Sequence, residues 1–217
     1  MAFEVSRMSI IDSAATVYLV DDESSVTKSL EWLLASVSLR VKTYQSAGEF
    51  LRYYRAATPG CLVLDVRMPG MSGLELMEHL QKCRIRIPII FLSAHGDVPM
   101  AVQAIKSGAV DFLQKPFATQ KFLDCVNHAL RLDCEARQRQ EAAAERAAGL
   151  AALTRRELEI AKLVAAGGRS KEIGDRLGIS HKTVDVHRSH IMRKLGARTN
   201  ADLVRLVEKC SPDSGPE

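Results

Sequence analysis

Five polar side chains stand at or just past the ends of short apolar runs in the first half of the chain. Asp21 and Asp22 follow Thr16-Val-Tyr-Leu-Val20, and Asp65 closes Cys61-Leu-Val-Leu-Asp65. Ser93 follows Pro88-Ile-Ile-Phe-Leu92, and Lys115 comes just after Val110-Asp-Phe-Leu113. Three carboxylates brought close repel one another and stay ionised together only around a cation. An oxygen-only donor set with room for water suits Mg²⁺, which binds through one or two carboxylates plus a phosphoryl group. Lys115 adds a positive point charge for a phosphate, and Ser93 a hydroxyl that donates to a phosphoryl oxygen. An aspartate flanked by Mg²⁺, a lysine and a hydroxyl is a carboxylate nucleophile set for phosphoryl transfer. A single Asp at a strand end is ordinarily a turn residue or a helix cap. The joint pattern, five polar groups at four strand ends in chain order, is what points to chemistry.

The elements that must hold these groups are legible as a (βα)₅ alternation. Strands are predicted at Thr16–Val20, Val41–Tyr44, Cys61–Asp65, Pro88–Leu92 and Val110–Leu113. Several are continuous apolar runs, as parallel strands buried on both faces require. Helical stretches lie between them, two opened by capping boxes, Ser46-Ala-Gly-Glu49 and Ser72-Gly-Leu-Glu75. The fold class is α/β, a doubly wound parallel sheet with right-handed crossovers, whose chemistry belongs at the carboxyl ends of the strands.

Past Pro116, Thr119 is a candidate N-cap for a helix with Phe122, Val126, Ala129 and Leu130 on one face. Asp133 to Ala148 is almost all Ala, Glu, Arg and Gln, strong helix formers without an apolar seam. The expectation is one long helix from Thr119 to about Ala148, solvated in its second half, with Gly149 as its stop. Four short helical patterns follow. Thr154-Arg-Arg-Glu157 is a third capping box, and Ser170, Ser180 and Asn200 are expected to cap the next three helices. Gly167-Gly168, Gly178 and Gly196 punctuate them.

Charge separates the two halves. Residues 1–128 carry 13 Lys+Arg and 13 Asp+Glu, residues 129–149 carry 4 and 4, and residues 150–217 carry 13 and 9. The whole excess of +4 therefore lies in the last third, which fits a polyanionic partner. The five cysteines are scattered and form no CxxC, so they read as reduced, small apolar fillers. No apolar run approaches the roughly 18 residues of a membrane span. The N-terminus carries Glu4 and Asp12 and has no continuous apolar segment, so a cytoplasmic address is expected and a membrane role is not.

The segment from Ser180 reads His181-Lys-Thr-Val-Asp185-Val-His-Arg-Ser-His190-Ile-Met-Arg-Lys-Leu195. Val184, His187/Arg188, Ile191 and Leu195 fall on one stripe, leaving Lys182, Asp185, Ser189 and Arg193 outward. A short helix, a glycine turn and a basic polar helix make a helix-turn-helix. A merely solvated helix face would carry the same charges. His181, His187 and His190 lack a further ligand at metal-binding spacing.

Taken together, Val-Asp21-Asp22-Glu, Leu-Asp65-Val-Arg-Met-Pro69-Gly, Leu-Ser93-Ala94-His and Lys115-Pro116-Phe resemble the signature segments of a bacterial response-regulator receiver domain. Spacings of 44 residues from Asp21 to Asp65 and 22 from Ser93 to Lys115 agree with it. Leu153-Thr-Arg-Arg-Glu157, Ser170-Lys-Glu-Ile173, Leu177-Gly-Ile-Ser180, Thr183-Val184, His187 and Arg193-Lys194-Leu195 are similar to the LuxR-type helix-turn-helix. The whole chain thus resembles the NarL/FixJ family of two-component response regulators. The resemblance implies Asp65 as phosphoacceptor, served by Ser93 and Lys115. It implies Mg²⁺, with Mn²⁺ as substitute, on Asp21, Asp22, Asp65 and the backbone carbonyl of Arg67. Ser93 and Phe112 match the switch pair; Phe112 stands where Tyr is also found, so ring burial alone reports the switch. Lys115–Pro116 is expected to be cis.

For DNA, the implied contacts are Lys171, Lys182, Thr183, Asp185, Val186, Arg188, Ser189, Arg193 and Lys194. The implied partners are a sensor histidine kinase, double-stranded promoter DNA, a second copy of the chain after phosphorylation, and RNA polymerase. The expected domains are an extension at 1–14, the receiver at 15–128, a helical linker at 129–149 continuing the fifth receiver helix, the all-α four-helix DNA-binding domain at 150–210, and a disordered tail at 211–217. One rival is an aspartyl-phosphate phosphatase, but such enzymes place a second Asp two residues after the nucleophile, where this chain has Arg67. Another is a DNA-binding regulator that senses a small molecule, which leaves the convergent acids unexplained.

Overall fold

Five short strands alternate with five helices in the first half of the computed structural model, which describes residues 15–56, 58–94, 98–197 and 199–208. The expected N-terminal extension, the polar tail and Cys210 lie outside the described residues. The strands are β1 (Thr16–Val20), β2 (Arg40–Tyr44), β3 (Gly60–Asp65), β4 (Ile89–Ser93) and β5 (Asp111–Gln114). The helices are α1 (Ser24–Ser36), α2 (Ala47–Tyr53), α3 (Gly73–Lys82), α4 (Val98–Lys106) and α5 (Thr119–Ala151). Every strand pair is parallel, in the order β2-β1-β3-β4-β5. The predicted strands all form, β1 with the expected ends and the others displaced by one residue at one or both ends.

Helices on both faces explain the apolar runs. β1, β3 and β4 are buried at every position, whereas the edge strand β2 alternates and is buried only at Tyr44. One face packs Leu62, Leu64 and Phe91 against Phe50, Leu76 and Leu80. The other packs Val17, Leu19, Val63 and Ile90 against Leu34, Phe122 and Val126. Close approach is tightest at Gly60, where a Cβ would lie 2.0 Å from the Thr16 carbonyl oxygen. The neighbouring strands β1 and β3 run side by side from Thr16↔Gly60 to Val20↔Leu64, so the residues that follow, Asp21 and Asp65, emerge at one edge. The chain leaves β1 toward one side of the sheet and β3 toward the other, and that reversal opens a crevice at the carboxyl ends.

Of the described cysteines, Cys61 is fully buried and Cys125 is buried, donating its thiol to Asp111 Oδ2 at 2.9 Å. Burial pushes the Cys125 thiol up to about 12. Cys83 departs from the filler expectation: it is exposed, 3.6 Å from His79 Nε2 one turn away.

α5 is a single helix of 33 residues. Gly149 does not stop it; the helix continues to Ala151, and a Cβ at Gly149 would meet Leu195 at 3.2 Å. A second correction concerns Asp133, which lies in the stretch expected to be wholly solvated. It is 4% exposed and accepts from the Gly60 amide at 2.9 Å and from Arg137 Nε at 2.7 Å. Arg137 also donates to the Ala56 and Thr58 carbonyls. The chain divides into two compact units between Arg137 and Gln138, about nine residues past the expected receiver limit, because these two side chains tie the helix to the loop before β3.

The second unit holds α6 (Arg155–Ala165), α7 (Ser170–Leu177), α8 (His181–Leu195) and α9 (Asn200–Glu208) around Ile160, Ala161, Val164, Ile173, Val184, Ile191 and Leu203. The Thr154–Glu157 capping box forms as expected, and Gly178 and Gly196 take the left-handed conformation that ends α7 and α8. Two expected caps are displaced by one residue. Ser170 is the first residue of α7, and the Arg169 amide before it donates to Glu172 Oε2 at 3.0 Å. Asn200 likewise opens α9, and Thr199 does the capping, its Oγ1 accepting from the Asp202 amide at 3.1 Å.

Candidate functional site

At the carboxyl edge of the sheet, Asp21 and Asp65 come together around one ammonium. Lys115 Nζ lies 2.6 Å from Asp21 Oδ2 and 2.8 Å from Asp65 Oδ1. The backbone holds the lysine there: its amide donates to the Ser93 carbonyl at 2.8 Å, and the Lys115–Pro116 bond is cis. The second oxygen of each carboxylate is fixed locally, Asp21 Oδ1 by the Glu23 amide at 2.9 Å and Asp65 Oδ2 by the Arg67 amide at 2.8 Å. Asp21 and Asp65 are 3% and 7% exposed. Burial pushes the Asp21 carboxyl up, against the pull of its bonds from Lys115 and Glu23. Burial also works to lower Lys115, but the hydrogen bonds to both aspartates outweigh it and the net direction is up.

Ser93 is buried at the end of β4, and Phe112 is half-buried on β5 directly opposite Phe91. The expected convergence of three acids is met by two. Asp22 is exposed, Arg67 is exposed, and among the described residues no group of three His, Cys, Asp or Glu side chains is disposed to hold a metal. Lys115 supplies one positive charge to the two buried carboxylates, which leaves the cluster one negative charge in excess. The chemistry of the cluster fits a hard cation: oxygen-only donors, two carboxylates, and an edge open to water at Asp22.

In the second unit, α8 presents Lys182, Thr183, Asp185, Val186, Ser189 and Arg193 to solvent, with Val186 53% exposed. Lys171 on α7 is exposed as well. Thr183 also takes part in the helix start, its amide donating to Ser180 Oγ at 3.1 Å. Several of the expected DNA contacts are engaged inside the domain: Asp185 Oδ1 accepts from Ser170 Oγ at 2.6 Å, and Ser189 Oγ donates to the Asp185 carbonyl at 3.0 Å. Lys194 pairs with the buried Glu157 at 2.7 Å, and Arg188, half-buried, donates to Ser170 Oγ and Asn200 Oδ1. Spacing alone did not reveal these partners, because Glu157 reads from the sequence as a plain capping-box residue.

Residues 17–127 match the model of the response regulator receiver domain, and residues 151–207 match that of the bacterial regulatory proteins of the luxR family. The chain belongs to the response-regulator family. It carries the family's receiver joined to a LuxR-type DNA-binding domain, the composition of a transcriptional regulator. This response regulator is 50% identical over 199 residues to the transcriptional regulatory protein TdiR of Thauera aromatica, covering 92% of this chain and 88% of the relative. It is 42% identical to the transcriptional regulatory protein FixJ of Rhizobium meliloti, covering 88% of this chain and 94% of FixJ. Among solved structures, the response regulator StyR superposes with a TM-score of 0.84 at 46% identity, over 90% of this chain and 99% of StyR. A receiver implies a kinase partner and a LuxR-type domain implies DNA. Among the described residues no helix is long and apolar enough to cross a membrane.

Proposed function

We propose that this response regulator is switched by phosphorylation of Asp65 and that the switch controls promoter binding in the cytoplasm. The observation that carries this reading is the Lys115 ammonium 2.8 Å from Asp65 Oδ1. A carboxylate so placed is oriented as a nucleophile, and the group that orients it is also the one to receive the incoming charge.

In the proposed step an Asp65 carboxylate oxygen attacks the phosphorus of a phosphohistidine on a sensor kinase, or of acetyl phosphate. The bond to the leaving imidazole nitrogen or acetate oxygen breaks as the new P–O bond forms. Lys115 exchanges Asp65 Oδ1 for a phosphoryl oxygen, and the Ser93 hydroxyl donates to another. Asp21, Asp22, Asp65 and the Arg67 carbonyl would hold Mg²⁺, or Mn²⁺ in its place. When bound, that cation neutralises charge on the transferred group.

Ser93 closing on the phosphoryl group makes room for Phe112 to turn further inward, which reshapes the neighbouring face of α4, β5 and α5. That face carries an apolar stripe, Val98, Val102 and Ile105, exposed at 77%, 44% and 46%. Pairing two receivers through it joins two helix-turn-helix domains on a two-part operator and raises their effective concentration. Lys171, Lys182 and Arg193 would meet phosphates, while Thr183, Asp185, Val186 and Ser189 face base edges; a DNA-bound dimer then serves as an activator that engages RNA polymerase. Beryllofluoride titration tests the chain of events: duplex affinity and dimer fraction should rise together. An unchanged monomer fraction with rising affinity would overturn the pairing.

A further inference from the structure

Two side chains that the sequence assigns to helix capping are not used for it, and both turn to the same guanidinium. Ser170 and Asn200 each sit one residue inside the helix they were expected to cap. Arg188 Nη1 donates to Ser170 Oγ at 3.2 Å, and its Nη2 donates to Asn200 Oδ1 at 3.0 Å. The Ser170 hydroxyl passes its own proton on, donating to Asp185 Oδ1 at 2.6 Å. A hydroxyl has one proton to give and lone pairs to receive with, so the directions are consistent along the chain. Asn200, Arg188, Ser170 and Asp185 therefore form one relay across the starts of α9 and α7 and the exposed face of α8. Among the described residues Asp185 and Arg188 make no direct ion pair; the serine joins them.

We infer that Ser170, which lies outside the recognition helix, is a specificity-determining positioning residue that presents the Asp185 carboxylate to a cytosine amine. This rests on the reading of α8 as the DNA-facing helix. An acidic side chain on such a helix is repelled by phosphates, and a long-lived orientation toward a base needs something to hold it. The serine supplies the hold on Oδ1, leaving Oδ2 to accept from an exocyclic amine, the contact by which Asp reads cytosine N4 in the major groove. Arg188, tied into the same relay, places a positive charge next to the carboxylate and offsets the repulsion. The ligand class is thus a duplex with cytosine at the position facing Asp185.

The test is selection of full-length, beryllofluoride-activated protein on a randomised duplex pool, for wild type, Ser170→Ala, Ser170→Thr, Asp185→Asn and Asp185→Ala. Asp185→Ala should abolish a cytosine preference at one position of each half-site. Ser170→Ala should weaken that same preference about three- to tenfold, the size of one typical net hydrogen bond. It should leave the salt slope of affinity unchanged, since no cation is removed. Ser170→Thr keeps the hydroxyl and should restore the wild-type profile, which separates positioning from a packing defect. A Ser170→Ala profile identical to wild type, with Asp185→Ala altered, overturns the positioning role and leaves the reading of α8 intact. An Asp185→Ala profile identical to wild type overturns it too, by showing that the carboxylate reads no base. No enrichment with wild type would sink the DNA-facing reading itself.

Discussion

Lys194→Gln separates a structural role for this lysine from a role at DNA, and the expected outcome is lost stability. Lys194 Nζ lies 2.7 Å from Glu157 Oε2, whose carboxylate is 4% exposed and also accepts from the Thr154 amide at 2.8 Å. The hydrogen bond from Lys194, then those from Thr154, hold the Glu157 carboxyl down at about 2. Against an ordinary glutamate near 4.3, that depression corresponds to at most about 3 kcal/mol. The cap contributes part of it, and Lys194 is itself a third exposed and screened, so its share is about 1–2 kcal/mol. Because the folded carboxyl is depressed, this stabilisation is complete above about pH 4.5 and is lost as pH falls toward about 2. Native-state hydrogen exchange at the buried Val184 and Ile191 amides is the assay. Protection should fall by about 1–2 kcal/mol in Lys194→Gln at pH 7, and the decline of protection with acid should flatten. Wild-type protection combined with a salt slope of DNA affinity lower by about one would refute this reasoning and return Lys194 to the phosphate contacts.

Three other outcomes are expected. Asp65→Asn keeps the shape of the pocket but removes the nucleophile, so radiolabel from acetyl phosphate should not enter it; incorporation at the wild-type rate would displace Asp65 as acceptor. Asp133→Ala leaves the Gly60 amide without its acceptor and Arg137 without its carboxylate, and urea unfolding should show the receiver weakened by about 2–3 kcal/mol. Val102→Glu places a charge in the apolar stripe of α4, and sedimentation in beryllofluoride should show it monomeric while acetyl phosphate labelling proceeds normally.

The receiver was legible because its signals are periodic and local. Continuous apolar runs mark strands buried on both faces, and a polar residue directly after such a run must appear at the carboxyl edge, whatever the details of packing. Asp21, Asp65, Ser93 and Lys115 were found that way. What the pattern missed are choices between competing partners. Whether three acids gather is not written in the strand pattern: Asp21 and Asp65 meet at Lys115, while Asp22 is exposed. Asp133 looked solvated because the residues after it are polar, yet it is buried, with the Gly60 amide 73 residues earlier and Arg137 one turn later as its donors.

Capping shows the same limit at shorter range. A Ser or Asn before an apolar run is a start signal, and a shift of one residue scarcely changes the helix. It changes everything for the side chain. With Glu172 answering the Arg169 amide and Thr199 answering the Asp202 amide, the hydroxyl of Ser170 and the carboxamide of Asn200 are released to other work. They spend it on Arg188, a residue whose spacing placed it between the inward stripe and the outward face of α8. The position of that one guanidinium decides whether α8 offers DNA an additional cation or a carboxylate held in place, and the distances favour the carboxylate.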